Sequence, residues 1–250
     1  VDALTITRDA ALPREGYTLA VTADGVALAA ADAAGAFYGV QTLQQLARQA
    51  PAGTLPCVTV EDWPDFRDRG LYYDVCRGRV PTLERLLELA DQLAHYKINQ
   101  LQLYVEHTFR WRTHPNIGKN ASPLSAEDIL TLDECCRARH IELVPSLAAF
   151  GHLATVLNLP AYRHLAEDWG EGRYLDPAAK NAWTRGWSLA PVLEESYTFL
   201  QELFAEFLPC FSSDRFNVCC DENYDLGWGQ SYAEAQRIGK GRLYLNHLLR

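Results

Sequence analysis

The chain has 250 residues, 48% hydrophobic, 22% charged and 11% aromatic, an ordinary globular composition that excludes disordered, collagen-like and disulfide-scaffold proteins. Its 23 basic and 32 acidic residues give a net charge of −9, and no Lys/Arg stripe compensates locally, so no nucleic-acid partner is expected. No apolar run reaches the roughly 18–20 residues that span a bilayer, so no membrane partner is expected either.

Residues 4–8 and 17–22 alternate as strands do, Asp24-Gly25 is a hairpin turn, and 26–30 returns as a third strand. Between 32 and 50, Phe37, Val40, Leu43 and Leu46 recur at three-residue steps, the mark of an amphipathic helix that Pro51-Ala52-Gly53 ends. Residues 57–61 add a strand, and Asp62-Trp63-Pro64-Asp65 is a turn-rich boundary. Residues 1–62 therefore read as a small α/β domain.

Past that boundary strand and helix alternate: strands at 69–76, 98–106, 141–147 and 215–220, helices at 82–96, 125–139 and 192–208, and a helical tail over 232–250. Ser125 with Asp128 three residues on has the capping-box spacing. Repeated βα units imply a parallel sheet with helical crossovers. An eight-fold βα barrel takes roughly 250 residues, whereas about 185 remain here and yield four units. Residues 63–250 are therefore expected to be the N-terminal half of a (β/α)8 TIM barrel, only about the first half being present; Arg250 falls inside a helical pattern without a C-cap signal.

The seven cysteines are odd in number, include two adjacent pairs and lack C-x-x-C spacing, which points to reduced thiols and favours a cytoplasmic location. The chain begins at Val1 and has no methionine, so its natural start is expected upstream, and nothing about a leader is read from it.

In parallel α/β proteins the reactive groups lie just past the carboxyl ends of strands. That rule selects Asp74 and Arg77, Glu106-His107, Gly151-His152 and Asp221-Glu222. The last pair follows the apolar run 216–220, where neighbouring like charges beside an apolar wall are expected to raise one carboxyl's pKa, as a proton donor at neutral pH requires. Two carboxylates leaving one strand end cannot easily straddle a scissile bond as ordinary glycosidase pairs do. One handling the leaving group while the other holds a substrate group that acts as nucleophile fits better.

Five segments, in order, resemble glycoside hydrolase family 20, the β-N-acetylhexosaminidases: DAAGAFYGVQTLQQL at 32–46, RGLYYDVCR at 69–77, YKINQLQL at 96–103, Val144-Pro145 through Gly151-His152, and CDENYDLGWG at 220–229. The resemblance implies a small α/β domain followed by a barrel. It also implies a retaining exo-enzyme that removes terminal β-linked N-acetylglucosamine or N-acetylgalactosamine without metal or cofactor. Glu222 would be the general acid and then base, and Asp221 would hold the N–H of the 2-acetamido group whose carbonyl oxygen attacks the anomeric carbon. Arg69 would hold the 3- and 4-hydroxyls, and His152 would support the acid. Many members carry Asp-Asp-Gln after the second strand; Glu106-His107-Thr108 stands here, making Glu106 and His107 the candidates for the partner of His152. Cys219-Cys220 replace the usual glycines before the acid pair, and the family's later aromatic walls have no counterpart before Arg250.

Blander readings stand beside these. His152 is equally a structural histidine, Arg69 a partner of Asp68 or Asp74, and Trp183, Trp187 and Trp228 packing anchors, of which Trp228, six residues past Glu222, is the candidate sugar contact. Two other functions remain open: a metal-dependent barrel hydrolase using His107, His152 and Asp221, and an inactive carbohydrate-binding relative.

Overall fold

Four short alternating segments make the first sheet: β1 (Leu4–Arg8), β2 (Tyr17–Thr22), β3 (Gly25–Ala30) and β4 (Val58–Asp62), in the order β1-β3-β2-β4. The structure, a computed structural model, describes residues 4–168 and 186–250. Thr22 faces Gly25 across the antiparallel β2–β3 pair, leaving Ala23-Asp24 as the two-residue turn, while β1 runs parallel to β3. Tyr17, Leu19, Val21, Val26, Leu28 and Ala30 form one apolar face, closed by Tyr38 of α1 (Ala33–Gln49). The helix lies so close that a Cβ on Gly39 would meet Leu28 Cδ1 at 2.3 Å. Asp32 fixes the helix start by accepting N–H bonds from Gly35 (2.8 Å) and Glu15 (2.9 Å).

The second sheet holds β5 (Gly70–Asp74), β6 (Gln100–Val105) and β7 (Glu142–Leu147) in that order. Its partners climb together. Asn99 donates to Arg69 O and Val75 to Tyr104 O, then Glu142 donates to Asn99 O and Ala148 to Val105 O, the pattern of a parallel sheet. Leu101, Leu103, Leu143, Val144 and Leu147 are buried, whereas Val218 is exposed.

The strand expected over 215–220 is a correction. Only Asn217 bridges in parallel to Ser146, with Leu147 N–H on Asn217 O (3.0 Å) and Ala149 N–H on Val218 O (3.1 Å). The reason is local: Cys219 turns into the left-handed region at φ 45°, where extended pairing cannot continue.

Helices α2 (Leu83–His95) and α3 (Ala126–Arg137) connect these strands, α4 (Ala154–Leu157) and α5 (Glu194–Phe207) follow β7, and Ser125 and Asp128 close a reciprocal cap on α3. The expected helical tail is two helices, α6 (Tyr232–Ile238) and α7 (Lys240–Leu248), because Gly239 at φ 82° interrupts it. Among the described residues no helix is long and apolar enough to cross a membrane.

The chain gathers into two compact units. One holds the residues up to Leu71 with Leu86–Gln100 and Glu134–Glu142; the other holds Tyr72–Arg85, Leu101–Asp133 and Leu143–Arg250. The gathering cuts across a division at 62/63, because inside the first unit α1 takes up the end of α2. Gln45 Nε2 donates to His95 O at 2.8 Å, and Phe37 meets His140 edge-on at 5.4 Å.

Candidate active site

Within the second unit, the carboxyl ends of three strands and of the 215–220 segment bring together acids, an imidazole and aromatic rings. At the end of β5, Asp74 accepts the backbone N–H of Cys76 (2.8 Å) and Arg77 (3.1 Å) and takes Arg77 Nε at 2.5 Å. The Arg77 guanidinium lies over the Tyr104 ring, 5.1 Å from its centre. Cys76 Sγ donates to Tyr104 O and accepts from Glu106 N–H, both at 2.9 Å, so the thiol ties the ends of β5 and β6 where the backbone ladder stops. Burial pushes this thiol up to about 12.

Glu106 is the desolvated acid of the group. Burial raises its carboxyl above the ordinary range, against the opposing pull of a 2.8 Å hydrogen bond from Tyr104 Oη to Oε1 and of His152. His152 follows β7 and is only 7% exposed in its side chain. Its Nδ1 stands 3.7 Å from Glu106 Oε1, and its Nε2 stands 3.1 Å from Glu222 Oε2 and 3.6 Å from Asp221 Oδ2. Nε2 has ion-pair distance to the two acids without hydrogen-bond alignment. One imidazole therefore lies near three carboxylates, one from the end of β6 and two from just past the 215–220 segment.

The backbone is strained where these groups meet: His152 (φ 61°), Cys219 (φ 45°) and Glu222 (φ 51°) are all left-handed non-glycine residues. Gly151 is required by a close approach, since a Cβ there would meet Asp221 O at 2.4 Å. Trp187 Nε1 donates to Glu222 O at 2.6 Å, and its ring lies 4.7 Å from that of His152 and 6.1 Å from that of Tyr224. Cys219 Sγ is held by Ser146 Oγ (3.0 Å) and Tyr72 Oη (3.3 Å). Farther along, buried Glu167 Oε1 accepts N–H bonds from Gly227, Gly229 and Ser231 and an O–H bond from Ser231, anchoring the loop that follows the acid pair.

Asp221, Glu222, His152 and Glu106 are thus assembled, while other expected groups lie elsewhere. Among the described residues the acid pair is not walled in as expected, its side chains being 67% and 49% exposed; the buried carboxyl of the group is Glu106. Arg69 is a correction as well. It precedes β5, at the amino end, inside the first unit, where its guanidinium donates to Glu15 Oε2, Tyr38 Oη, Lys97 O and Phe66 O. Arg77, past the carboxyl end of the same strand, is the guanidinium that belongs to this cluster. His107 Nδ1 is 4.0 Å from Glu106 Oε2, and burial lowers the pKa of this ring. His107, His152 and Asp221 are not gathered as ligands; among the described residues no three His, Cys, Asp or Glu side chains are placed to hold a metal ion. Trp228 packs under Lys240 Nζ, 4.6 Å from its ring centre, and Trp187 is the tryptophan beside the acid. Trp183 lies outside the described residues. Tyr104 and Trp187 carry no sequence signal for the roles they take, whereas Arg77 had one, its place after a strand end.

Two family descriptions cover nearly the whole chain: "Glycosyl hydrolase family 20, domain 2" matches residues 2–63, and "Glycosyl hydrolase family 20, catalytic domain" matches 66–247. The chain is 26% identical over 235 residues to an N,N'-diacetylchitobiase of Vibrio harveyi, covering 76% of this chain and 26% of that protein. It is 30% identical over 162 residues to a beta-hexosaminidase of Akkermansia muciniphila, covering 56% of this chain and 32% of the relative. The solved exo beta-N-acetylglucosaminidase of Vibrio harveyi in complex with N-acetylglucosamine superposes with a TM-score of 0.82 at 19% identity, over 99% of this chain and 43% of its own. The chain spans about a quarter to a third of these curated relatives. Its fold is part of the TIM-barrel-like fold of that family's catalytic domain.

Proposed function

The chain belongs to glycosyl hydrolase family 20, and from that premise we propose that it carries the acid-bearing half of the barrel of a retaining exo-β-N-acetylhexosaminidase. The observation that carries the reading is the placement of one buried imidazole, His152, against Glu222, Asp221 and Glu106 at 3.1, 3.6 and 3.7 Å. The relatives' names, a chitobiase and a beta-hexosaminidase, support reading the substrate as a hexosaminide, on this proposal one ending in β-linked N-acetylglucosamine or N-acetylgalactosamine.

In the first step the substrate's acetamido oxygen attacks the anomeric carbon while the glycosidic oxygen leaves with a proton from Glu222. Asp221 accepts the acetamido N–H, orienting that oxygen and stabilising the positive charge of the cyclic intermediate. Glu222, now ionised, takes a proton from the water that opens the ring, so configuration is retained without an enzyme nucleophile. His152, backed by Glu106, steadies the acid between its two protonation states. Arg77, held by Asp74 and stacked on Tyr104, takes the hydroxyl-binding part expected of Arg69. Trp187 and Tyr224 stand beside Glu222.

The test is turnover of a chromogenic β-N-acetylglucosaminide with anomeric retention read by NMR, beside the plain β-glucoside. Retaining hydrolysis confined to the acetamido sugar is expected. Comparable hydrolysis of the glucoside would overturn the mechanism and require an enzyme nucleophile.

A further inference from the structure

Tyr104 touches the acid, the imidazole and the guanidinium of this cluster, and no sequence motif singles it out. Its hydroxyl donates to Glu106 Oε1 at 2.8 Å, the same oxygen that faces His152 Nδ1 at 3.7 Å. One ring face carries the Arg77 guanidinium at 5.1 Å; Tyr72 and His152 meet the ring edge-on at 5.8 and 6.2 Å. Its carbonyl takes the Cys76 thiol and the Val75 N–H, which fixes the backbone from which the side chain springs. The residue is buried, 6% exposed.

We propose that Tyr104 is a positioning residue of this site: its hydroxyl holds Glu106 toward His152, and its ring carries Arg77. The proposal rests on the functional reading above. The two halves of the side chain then serve different steps, the hydroxyl the acid–base group and the ring the binding of sugar hydroxyls. Glu106 is faced by Asp74, Cys76 and Arg77 from the end of β5, by Tyr104 and His107 from its own strand, by His152 after β7, and by Cys219 from the 215–220 segment. Among these, Tyr104 is the group that gives a short hydrogen bond to the carboxylate, and such a bond favours the ionised form. Without it, burial acts with less opposition, and Glu106 takes up a proton at higher pH.

The experiment compares Tyr104→Phe with Tyr104→Leu. Tyr104→Phe keeps the ring and is expected to lower kcat about tenfold at mildly acidic pH, with KM near that of the parent and the acidic limb of the kcat profile moved upward. Tyr104→Leu removes the ring too and is expected to raise KM as well, by about tenfold. A purely structural role would lower the melting temperature and leave the limb and the kcat/KM split unmoved, which overturns the proposal. The carboxyl carbon of Glu106, assigned with Glu106→Gln, gives a readout independent of turnover: its titration midpoint is expected to rise in Tyr104→Phe. If the parent does not turn over N-acetylhexosaminides, the functional reading fails and this titration still decides whether Tyr104 sets Glu106. An unmoved midpoint overturns the proposal.

Discussion

At the scale of single residues, Glu222→Gln is expected to leave substrate affinity largely intact while removing about 10²–10⁴-fold of the turnover of substrates with basic leaving groups, the usual contribution of a general acid. Substrates with good leaving groups need no proton and are expected to lose far less; equal losses across the series would rule Glu222 out as the acid. Asp221→Asn is expected to cut the rate on the acetamido sugar and leave the feeble rate on the plain glucoside nearly unchanged, because in the proposed mechanism its work on the substrate is to hold the acetamido group. A parallel fall on both substrates would mean that Asp221 serves the fold or the acid instead. That Glu222, Asp221 and His152 come together was legible because strand ends in parallel α/β proteins select positions, and positions are written in the sequence. Arg69 and Arg77 sit eight residues apart at opposite ends of one strand, so the choice between them depends on which end faces the substrate. The desolvated carboxyl was not legible at all. Burial of Glu106 comes from Tyr104, Cys76 and His152, three side chains supplied by separate strands.

At the scale of elements, alternating and three-residue periodicities placed β1 to β4 and α1 within a residue or so, and the Ser125–Asp128 cap of α3 formed as its spacing required. What the periodicity could not carry was the left-handed turn. Cys219 leaves extended backbone inside the run that reads as a strand and Glu222 does so two residues past it, and this bend brings the acid pair to His152. Gly151 is the other half of that device, its missing side chain admitting the Asp221 carbonyl. Gly151→Ala must push the 221–222 turn away from β7. It is expected to cost about 1–3 kcal/mol of stability, as overpacking usually does, and about 10²-fold in turnover, as a misplacement of about 1 Å can. Chemical denaturation and a kinetic assay measure both. A Gly151→Ala protein with parental stability and rate would show that the approach of Asp221 to Gly151 is not needed.

At the scale of the whole molecule, two buried groups in the second unit set opposite pH dependences over one window. His247, stacked on Phe150 at 3.8 Å, is held to about 4 by burial, below its ordinary 6.5. The unfolded chain therefore binds this proton first as pH falls, and about 3 kcal/mol of stability present above pH 6.5 is lost by pH 4. Asp225 runs the other way. Burial raises it from 3.8 to about 6, so the folded state binds its proton first, and a neutral-pH cost of about 3 kcal/mol fades as pH falls from 6 toward 4. Together they leave a nearly level contribution between pH 4 and 6.5, with Glu167 and Glu106, also raised by burial, adding to the side of Asp225. Removing either group should uncover the other. Asp225→Asn is expected to be more stable than the parent at pH 7 and to lose stability steeply on acidification, whereas His247→Phe, which keeps the stack on Phe150, is expected to gain stability as pH falls toward 5. Urea midpoints for the three proteins at pH 7 and pH 4.5 measure this. Parallel pH dependences in parent and Asp225→Asn would mean that the Asp225 proton is taken up equally by the folded and unfolded chains, and that its burial imposes no charge cost on the fold.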